Sequence, residues 1–183
     1  MIRDSEIWFK LVIFGDGGVG KTSMCHRYLH RMFKPDLKLT IGVDFGMKKL
    51  EIGDKKIILH IWDFGGEERF QILFPNYANG ASGGIFMYDI ARASSLSTTE
   101  KWMKLFREST GNKIPIIMTG GKLDLQEKRT IKTEDAKKIL NQYNFNGYIE
   151  CSSKTGENVE GVFKKIAIEM LKSIGLSELA SKI

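Results

Sequence analysis

Cysteine is scarce: Cys25 and Cys151 are the two in 183 residues, and neither sits in a CxxC pair or other metal-ligand spacing. That excludes a disulfide scaffold and points to a reducing compartment with two free, buried thiols. Long hydrophobic runs are missing too, since nothing approaches the roughly 18 apolar residues of a membrane-spanning helix. Residues Met1 to Asp4 offer neither the apolar stretch of a secretory signal nor a glycine for myristoylation. The last eight residues, Leu176 to Ile183, contain no cysteine, so no prenyl anchor is expected. Their short stripe of Leu176, Leu179, Ala180 and Ile183 reads as a frayed end of the last helix, with peripheral membrane contact at most. Internal repeats, low-complexity segments and linkers are absent, so residues 1–183 are expected to form one domain, cytoplasmic and monomeric. His26, His30 and His60 have no partner spacing and read as surface or packing residues. The formal net charge is +6, but the pairs Lys48-Lys49, Lys55-Lys56, Lys137-Lys138 and Lys164-Lys165 are scattered. Scattered pairs read as solvated faces rather than a nucleic-acid interface.

What is present centres on Gly15 to Thr22, Gly-Asp-Gly-Gly-Val-Gly-Lys-Thr, a full match to G-x-x-x-x-G-K-[ST]. Before it, Phe9 to Phe14 is a short apolar run that reads as a buried strand. After it, Cys25, Tyr28, Leu29 and Met32 recur at i, i+3, i+4, i+7, one face of a helix. Strand, glycine loop and helix together make this pattern a phosphate site. Glycines let backbone N–H groups close on phosphates, and the helix N-terminus adds free donors and a positive dipole end. The expected cradle runs from Gly17 through Gly18, Val19, Gly20, Lys21 and Thr22 to Ser23. In it Lys21 bridges the outer phosphates and the Thr22 hydroxyl ligates Mg²⁺. By itself such a loop leaves kinases, ATPases and GTPases open.

Strands and helices alternate along the chain, which argues an α/β sheet with helices on both faces. Phe33 to Gly42 is polar and aperiodic, a long loop. Val43 to Ile52 and Lys55 to Asp63 read as a hairpin around Gly53-Asp54. Gly84 to Tyr88 and Ile114 to Met118 read as central strands, and Gly147 to Cys151 as a last one. Ser94 or Ser95 is expected to cap a helix carrying Leu96, Met103 and Phe106 inward, and Thr133 the next, with Ala136, Ile139, Leu140 and Tyr143 on its core face. Val162, Phe163, Ile166, Ala167, Met170, Leu171 and Ile174 form the stripe of the final helix.

Three later stretches narrow the choice. Asp63-Phe-Gly-Gly66 follows a strand and fits D-x-x-G: the acid can hold Mg²⁺ through water, and the Gly66 N–H can meet a γ-phosphate. Lys122-Leu-Asp124 offers a lysine stem to lie over a purine and a carboxylate to accept two N–H donors from guanine, a pair that adenine lacks. Ser152-Ser153-Lys154 can add a backbone N–H to the guanine carbonyl and a second lysine stem.

With these stretches the chain resembles a small Ras-superfamily GTPase, closest to the Rab branch. The resemblance covers essentially the whole sequence, including Thr40 to Phe45, Trp62 to Phe70, Tyr88-Asp-Ile90 and Cys151 to Asn158. It implies a P-loop NTPase fold: a six-stranded, mostly parallel sheet with one antiparallel edge strand. It implies that Thr40 binds Mg²⁺ and γ-phosphate in the GTP state, that Phe33 packs on the guanine, and that GTP or GDP is the ligand. Lys21, Thr40 and the residue at position 67 would then carry catalysis, with Thr22, Thr40 and Asp63 around the metal. An effector, an exchange factor and an activating protein would bind through two switch loops. Phe45, Trp62 and Tyr77 match an aromatic triad that meets effectors in Rab proteins; equally, they read as aromatics closing the hairpin's outer face. Three departures stand out. Glu67 fills the slot of the catalytic glutamine and Gly65 that of the alanine two residues before it. Gly121 replaces the asparagine that ties the base loop to the P-loop. The C-terminal cysteine is missing. Gly17, by contrast, keeps room for a partner's arginine, so assisted hydrolysis stays sterically open. The resulting expectation is a GTP-hydrolysing switch, slow without an activator, regulating a trafficking or cytoskeletal partner. The alternative is a GTP- or GDP-holding interaction module that hydrolyses almost nothing.

Overall fold

Phe9, Leu11 and Ile13 of the first strand face one hydrophobic core, and Val12 and Phe14 face another. A strand buried on both sides needs no polar alternation, which is why its sequence is a nearly continuous apolar run. The computed structural model describes residues 6–183; the reading of Met1 to Asp4 falls outside them. In chain order the elements are β1 (Glu6–Phe14), α1 (Lys21–His30), β2 (Val43–Ile52), β3 (Lys55–Phe64), α2 (Phe74–Ala78), β4 (Gly83–Asp89) and α3 (Ser94–Ser97). There follow α4 (Thr99–Thr110), β5 (Ile116–Gly121), α5 (Thr133–Gln142), β6 (Tyr148–Glu150), α6 (Val159–Ser173) and α7 (Ser177–Ala180). Tighter 3-10 turns span Glu68–Leu73 and Leu123–Lys128.

The six strands lie in the order β2-β3-β1-β4-β5-β6. Among the described residues only β2 runs antiparallel, paired with β3 in a hairpin in which Ile52 faces Lys55; Gly53 in the turn has φ 61°. The parallel strands β1, β3, β4, β5 and β6 end on one edge of the sheet. Sequence segments far apart therefore converge there: the glycine loop after β1, Asp63 near the end of β3, the Lys122–Asp124 segment after β5 and Ser152 after β6. On one face, Met24, Cys25 and Tyr28 of α1 pack with the stripe of α6, and the rings of Tyr28 and Phe163 stack at 3.8 Å and 4°. On the other face, α2, α4 and α5 cover a core in which Phe74 and Trp102 meet Phe14 and Phe64. Both cysteines are free and buried, with Cys151 Sγ 3.9 Å from Met24 Sδ. No helix among the described residues is long and apolar enough to cross a membrane.

Several local expectations are corrected. The helix α1 ends at His30 because Arg31 adopts φ 57°, so Met32 leaves the core face and is 55% exposed. Ser94 and Ser95 make no helix cap by side chain. Instead Ser95 Oγ accepts from Asp89 N–H (3.0 Å) and donates to Arg92 O (2.7 Å), and the inward residues Met103 and Phe106 belong to a separate helix, α4. Thr133 lies inside α5, whose cap position is Lys132 without a side-chain bond. Ile114 precedes β5, and Ile174 follows α6 and is half exposed. The C-terminal segment is not frayed. After Gly175, at φ 83°, α7 folds back and buries Leu179 and Ala180 in the core beside Ile52. Burying the leucine alone stabilises that return by about 2 kcal/mol.

Candidate functional site

At the carboxyl edge of the sheet one cavity of about 290 Å³ is lined by Gly17, Gly18, Val19, Gly20, Lys21, Thr22 and Ser23, by Phe33 and Thr40, by Gly66 and Glu67, and by Lys122, Asp124, Ser153 and Lys154. Fifteen side chains or backbones named from sequence thus share one wall-to-wall space, and the structure adds Pro35, Leu37, Lys38, Leu39, Gly65 and Met87. The loop can turn so sharply because Gly15, Gly18 and Gly20 take positive φ. A Cβ on Gly15 would lie 2.1 Å from Met87 O, so only glycine admits the neighbouring strand. The helix α1 starts without a side-chain cap, and Met24 N–H is the first to bond, to Gly20 O at 2.9 Å. That leaves the N–H groups of Lys21, Thr22 and Ser23 without intrahelical partners, a ready anion cradle. The Lys21 ammonium is buried and donates to Gly15 O (2.9 Å) and Asp16 O (2.8 Å). Burial pulls its pKa down to about 8, opposed by nearby Asp63. A cation held in this position by neutral carbonyls is suited to a polyanionic ligand.

Beside it three oxygen donors meet. Thr22 Oγ1 is 2.6 Å from Thr40 Oγ1 and donates to Asp63 Oδ2 at 2.5 Å. Asp63 Oδ1 is buried with no partner, and burial pushes its carboxyl up to about 6. Two hydroxyls and a carboxylate with an orphaned oxygen are the hard-donor set that Mg²⁺ prefers, and the residues fit that ion. Among the described residues no cluster of three His, Cys, Asp or Glu side chains offers a rival metal site.

On the opposite side of the cavity Ser152 Oγ donates to Asp124 Oδ1 at 2.6 Å, fixing the carboxylate that would read a base. Lys122, in the left-handed region at φ 64°, forms a 2.7 Å ion pair with Asp89 Oδ2, whose side chain is only 6% exposed. Arg27 reaches from α1 to donate to Ser153 O (2.8 Å) and to Lys154 O. At Gly121 a Cβ would stand 2.4 Å from Met87 Cε and 2.9 Å from Val19 O. Close backbone packing and a methionine therefore occupy the space an asparagine side chain would need.

The two loops flanking the cavity touch. Gly65 N–H donates to Gly42 O at 2.7 Å, and a Cβ on Gly65 would lie 2.5 Å from Thr40 O. A Cβ on Gly66 would lie 2.2 Å from Gly15 O, so this glycine rests on the phosphate loop itself. Glu67 borders the cavity, with its Cγ 3.8 Å from a Cβ placed on Gly17, and its Oε2 accepts from Arg69 Nε at 2.7 Å. Outside the cavity Phe45 stands edge-on to Trp62 at 4.6 Å, Trp62 lies 6.0 Å from Tyr77, and Phe45 is 59% exposed. The three expected aromatics are brought together as one cluster.

The residues that fix this geometry were largely silent in the sequence. Asp16 Oδ1 accepts from Trp102 Nε1 (2.8 Å) and Thr98 Oγ1 (3.0 Å), and Arg92 Nη2 donates to Gly17 O at 2.7 Å. Together they clamp the outside of the phosphate loop to α4 and the turn before α3. Asp89 lay inside a quoted match, Tyr88-Asp-Ile90, and that was its only signal. Arg27, Arg69, Arg92 and Trp102 follow from no spacing rule.

The Ras family model matches residues 10–172. The chain is 36% identical over 171 residues to "Ras-related protein Rab11B" of Nicotiana tabacum, covering 93% of this chain and 78% of that protein.

Proposed function

The chain belongs to the Ras family of small GTPases, near the Rab branch, and from that premise we propose that it is a Mg²⁺-dependent GTP-binding switch that hydrolyses GTP slowly. Family members bind GTP and GDP and act with effectors, exchange factors and activating proteins. The observation that carries the reading here is a single cavity lined by the buried Lys21, by Thr22 and Thr40 with Asp63 bonded to Thr22 behind them, and by the Ser152-held Asp124.

In this reading Lys21 and the free N–H groups of α1 hold the phosphates, and Asp124 accepts the two N–H donors of guanine. Lys122 and Lys154 cover the base, and Phe33 closes its side. Thr22, Thr40 and Asp63 would hold Mg²⁺, which neutralises charge on the triphosphate. Thr40 and Gly66 order the two loops around the γ-phosphate, and its departure as phosphate releases them. The ordered loops, with Phe45, Trp62 and Tyr77 beside them, present the surface for a trafficking or cytoskeletal effector. Glu67 borders the cavity beside the phosphate loop, in the slot of the family's catalytic glutamine. Its pairing with Arg69 favours a second reading, a module that holds GTP or GDP and turns over almost nothing.

Protein loaded with GTP in chelator, then given Mg²⁺, is expected to release phosphate in a single turnover. No release over many hours with GTP still bound would establish the second reading. Asp124→Asn is expected to lose guanine nucleotides by a few kcal/mol, about 3, and to gain xanthine nucleotides. An unchanged preference for GTP over ATP and xanthosine triphosphate would refute the base assignment.

A further inference from the structure

Behind the base-reading loop a second cavity, about 310 Å³, opens between α1, β2 and the start of α6. Its walls carry three cations, Arg27 and Arg31 of α1 and Lys48 of β2, against one carboxylate, Glu160. Two features separate it from an open face of solvated lysines. Arg27 spends its guanidinium on three carbonyls, Ser153 O (2.8 Å), Arg31 O (3.1 Å) and Lys154 O, and among the described residues it meets no carboxylate. Its charge is therefore anchored but not neutralised. Lys48 Nζ is held 5.3 Å from the centroid of Tyr28, whose ring is itself pinned flat on Phe163. The helix dipole explains a cation such as Arg27 in the last turn of α1. It does not explain Lys48, which comes from a strand.

We propose that this cavity is an anion site for a phosphomonoester, gripped by Arg31, Lys48 and the unused donors of Arg27. A guanidinium has five N–H groups, and the three carbonyls engage three, leaving two. Three cations against one carboxylate leave a formal excess of two positive charges, which matches a phosphate dianion better than a carboxylate. Tyr28 and Val159 supply an apolar wall for the group that the phosphate is attached to. The site is also linked to the nucleotide cavity, because Arg27 holds the main chain of Ser153 and Lys154. A ligand that fixes Arg27 stiffens that loop and slows GDP release, a consequence that rests on the guanine-nucleotide reading.

The phosphate could be free or part of a lipid headgroup, and two probes distinguish these. The full chain, loaded with GDP and Mg²⁺, is titrated with glycerol 3-phosphate while backbone amide shifts of Arg31 and Gly156 are followed. In parallel it is sedimented with phosphatidic-acid vesicles and with phosphatidylserine vesicles of equal surface charge. Saturating shifts confined to the cavity mark a soluble ligand; sedimentation that prefers phosphatidic acid, without such shifts, marks a lipid ligand. Either is expected to weaken about tenfold in the Arg31→Ala/Lys48→Ala double variant, equivalent to ~1.4 kcal/mol, and to survive Lys48→Arg. GDP release is expected to slow roughly fivefold at saturation. Shifts that never saturate, together with equal sedimentation by both vesicles, overturn the site. So does binding that the double variant leaves intact. Saturable binding with an unchanged release rate overturns the link through Arg27. Amide shifts are read on the protein whether or not it retains nucleotide, so a failed guanine assignment is seen separately.

Discussion

Replacing Glu67 by glutamine tests the role proposed for this residue in GTP hydrolysis. The Glu67 side chain is 26% exposed and borders the phosphate loop near Gly17. A carboxylate about 5 Å from a phosphate oxygen, at an effective dielectric near 20, repels one unit charge by roughly 3 kcal/mol. Only the charge that develops during the reaction counts, and if that is roughly a third the barrier rises by about 1 kcal/mol. Restoring the amide N–H adds a donor worth about 1 kcal/mol. The two together predict that Glu67→Gln hydrolyses GTP about thirtyfold faster. Arg69 makes the argument sharper. Its ion pair with Glu67 is 66% exposed on the arginine side, so it offsets well under 1 kcal/mol of the repulsion. Arg69→Ala should slow the Glu67 protein about threefold and leave the Glu67→Gln protein unchanged. Single-turnover phosphate release from equally loaded proteins, across pH, reads all four members of the cycle. If Glu67 instead takes the proton of the attacking water, Glu67→Gln is slower, and the parent rate climbs with pH. A slower Glu67→Gln at every pH refutes the repulsion argument.

Asp89→Asn removes the carboxylate that holds Lys122 while leaving the cavity's shape. Because Lys122 is 36% exposed the pair is partly screened, and fluorescent GDP should leave about threefold to tenfold faster; an unchanged rate refutes the tether. Gly65→Ala inserts a Cβ that would sit 2.5 Å from Thr40 O. It is expected to part the two loops and lower affinity for a GTP analogue at least about tenfold, with GDP affinity nearly constant; equal losses for both nucleotides would refute a loop-specific effect. Burial pushes the Cys151 thiol up to about 12 and the Cys25 thiol well above its usual range. Both should ignore a thiol reagent at pH 8 and react on unfolding. Because the raised values favour the folded, protonated thiols, that contribution is complete below about pH 8.5 and is lost as pH climbs towards 12; rapid labelling of native protein at pH 8 would refute the burial.

Where local chemistry repeats at short range, the sequence alone determined this protein. Gly15 to Thr22 announces a phosphate loop because glycine, lysine and hydroxyl must lie adjacent there. The hairpin at Gly53-Asp54 and the stripe of α6 follow from turn residues and a 3.6-residue period. Asp63, Asp124 and Ser152 were legible because each lies at or just beyond the carboxyl end of a parallel strand, and those ends share one edge of the sheet. What stayed hidden depends on contacts between residues distant in the chain. No pattern pairs Asp16 with Trp102, Asp89 with Lys122 or Arg27 with Lys154, since each pair forms only when separate elements have packed. The C-terminal residues read as frayed because four apolar positions are too few to form a helix alone. They fold as α7 because the tip of the β2–β3 hairpin offers Ile52 to bury against. Gly121 read as a loss for the same reason: only packing shows that Met87 and Val19 already fill the space beside it.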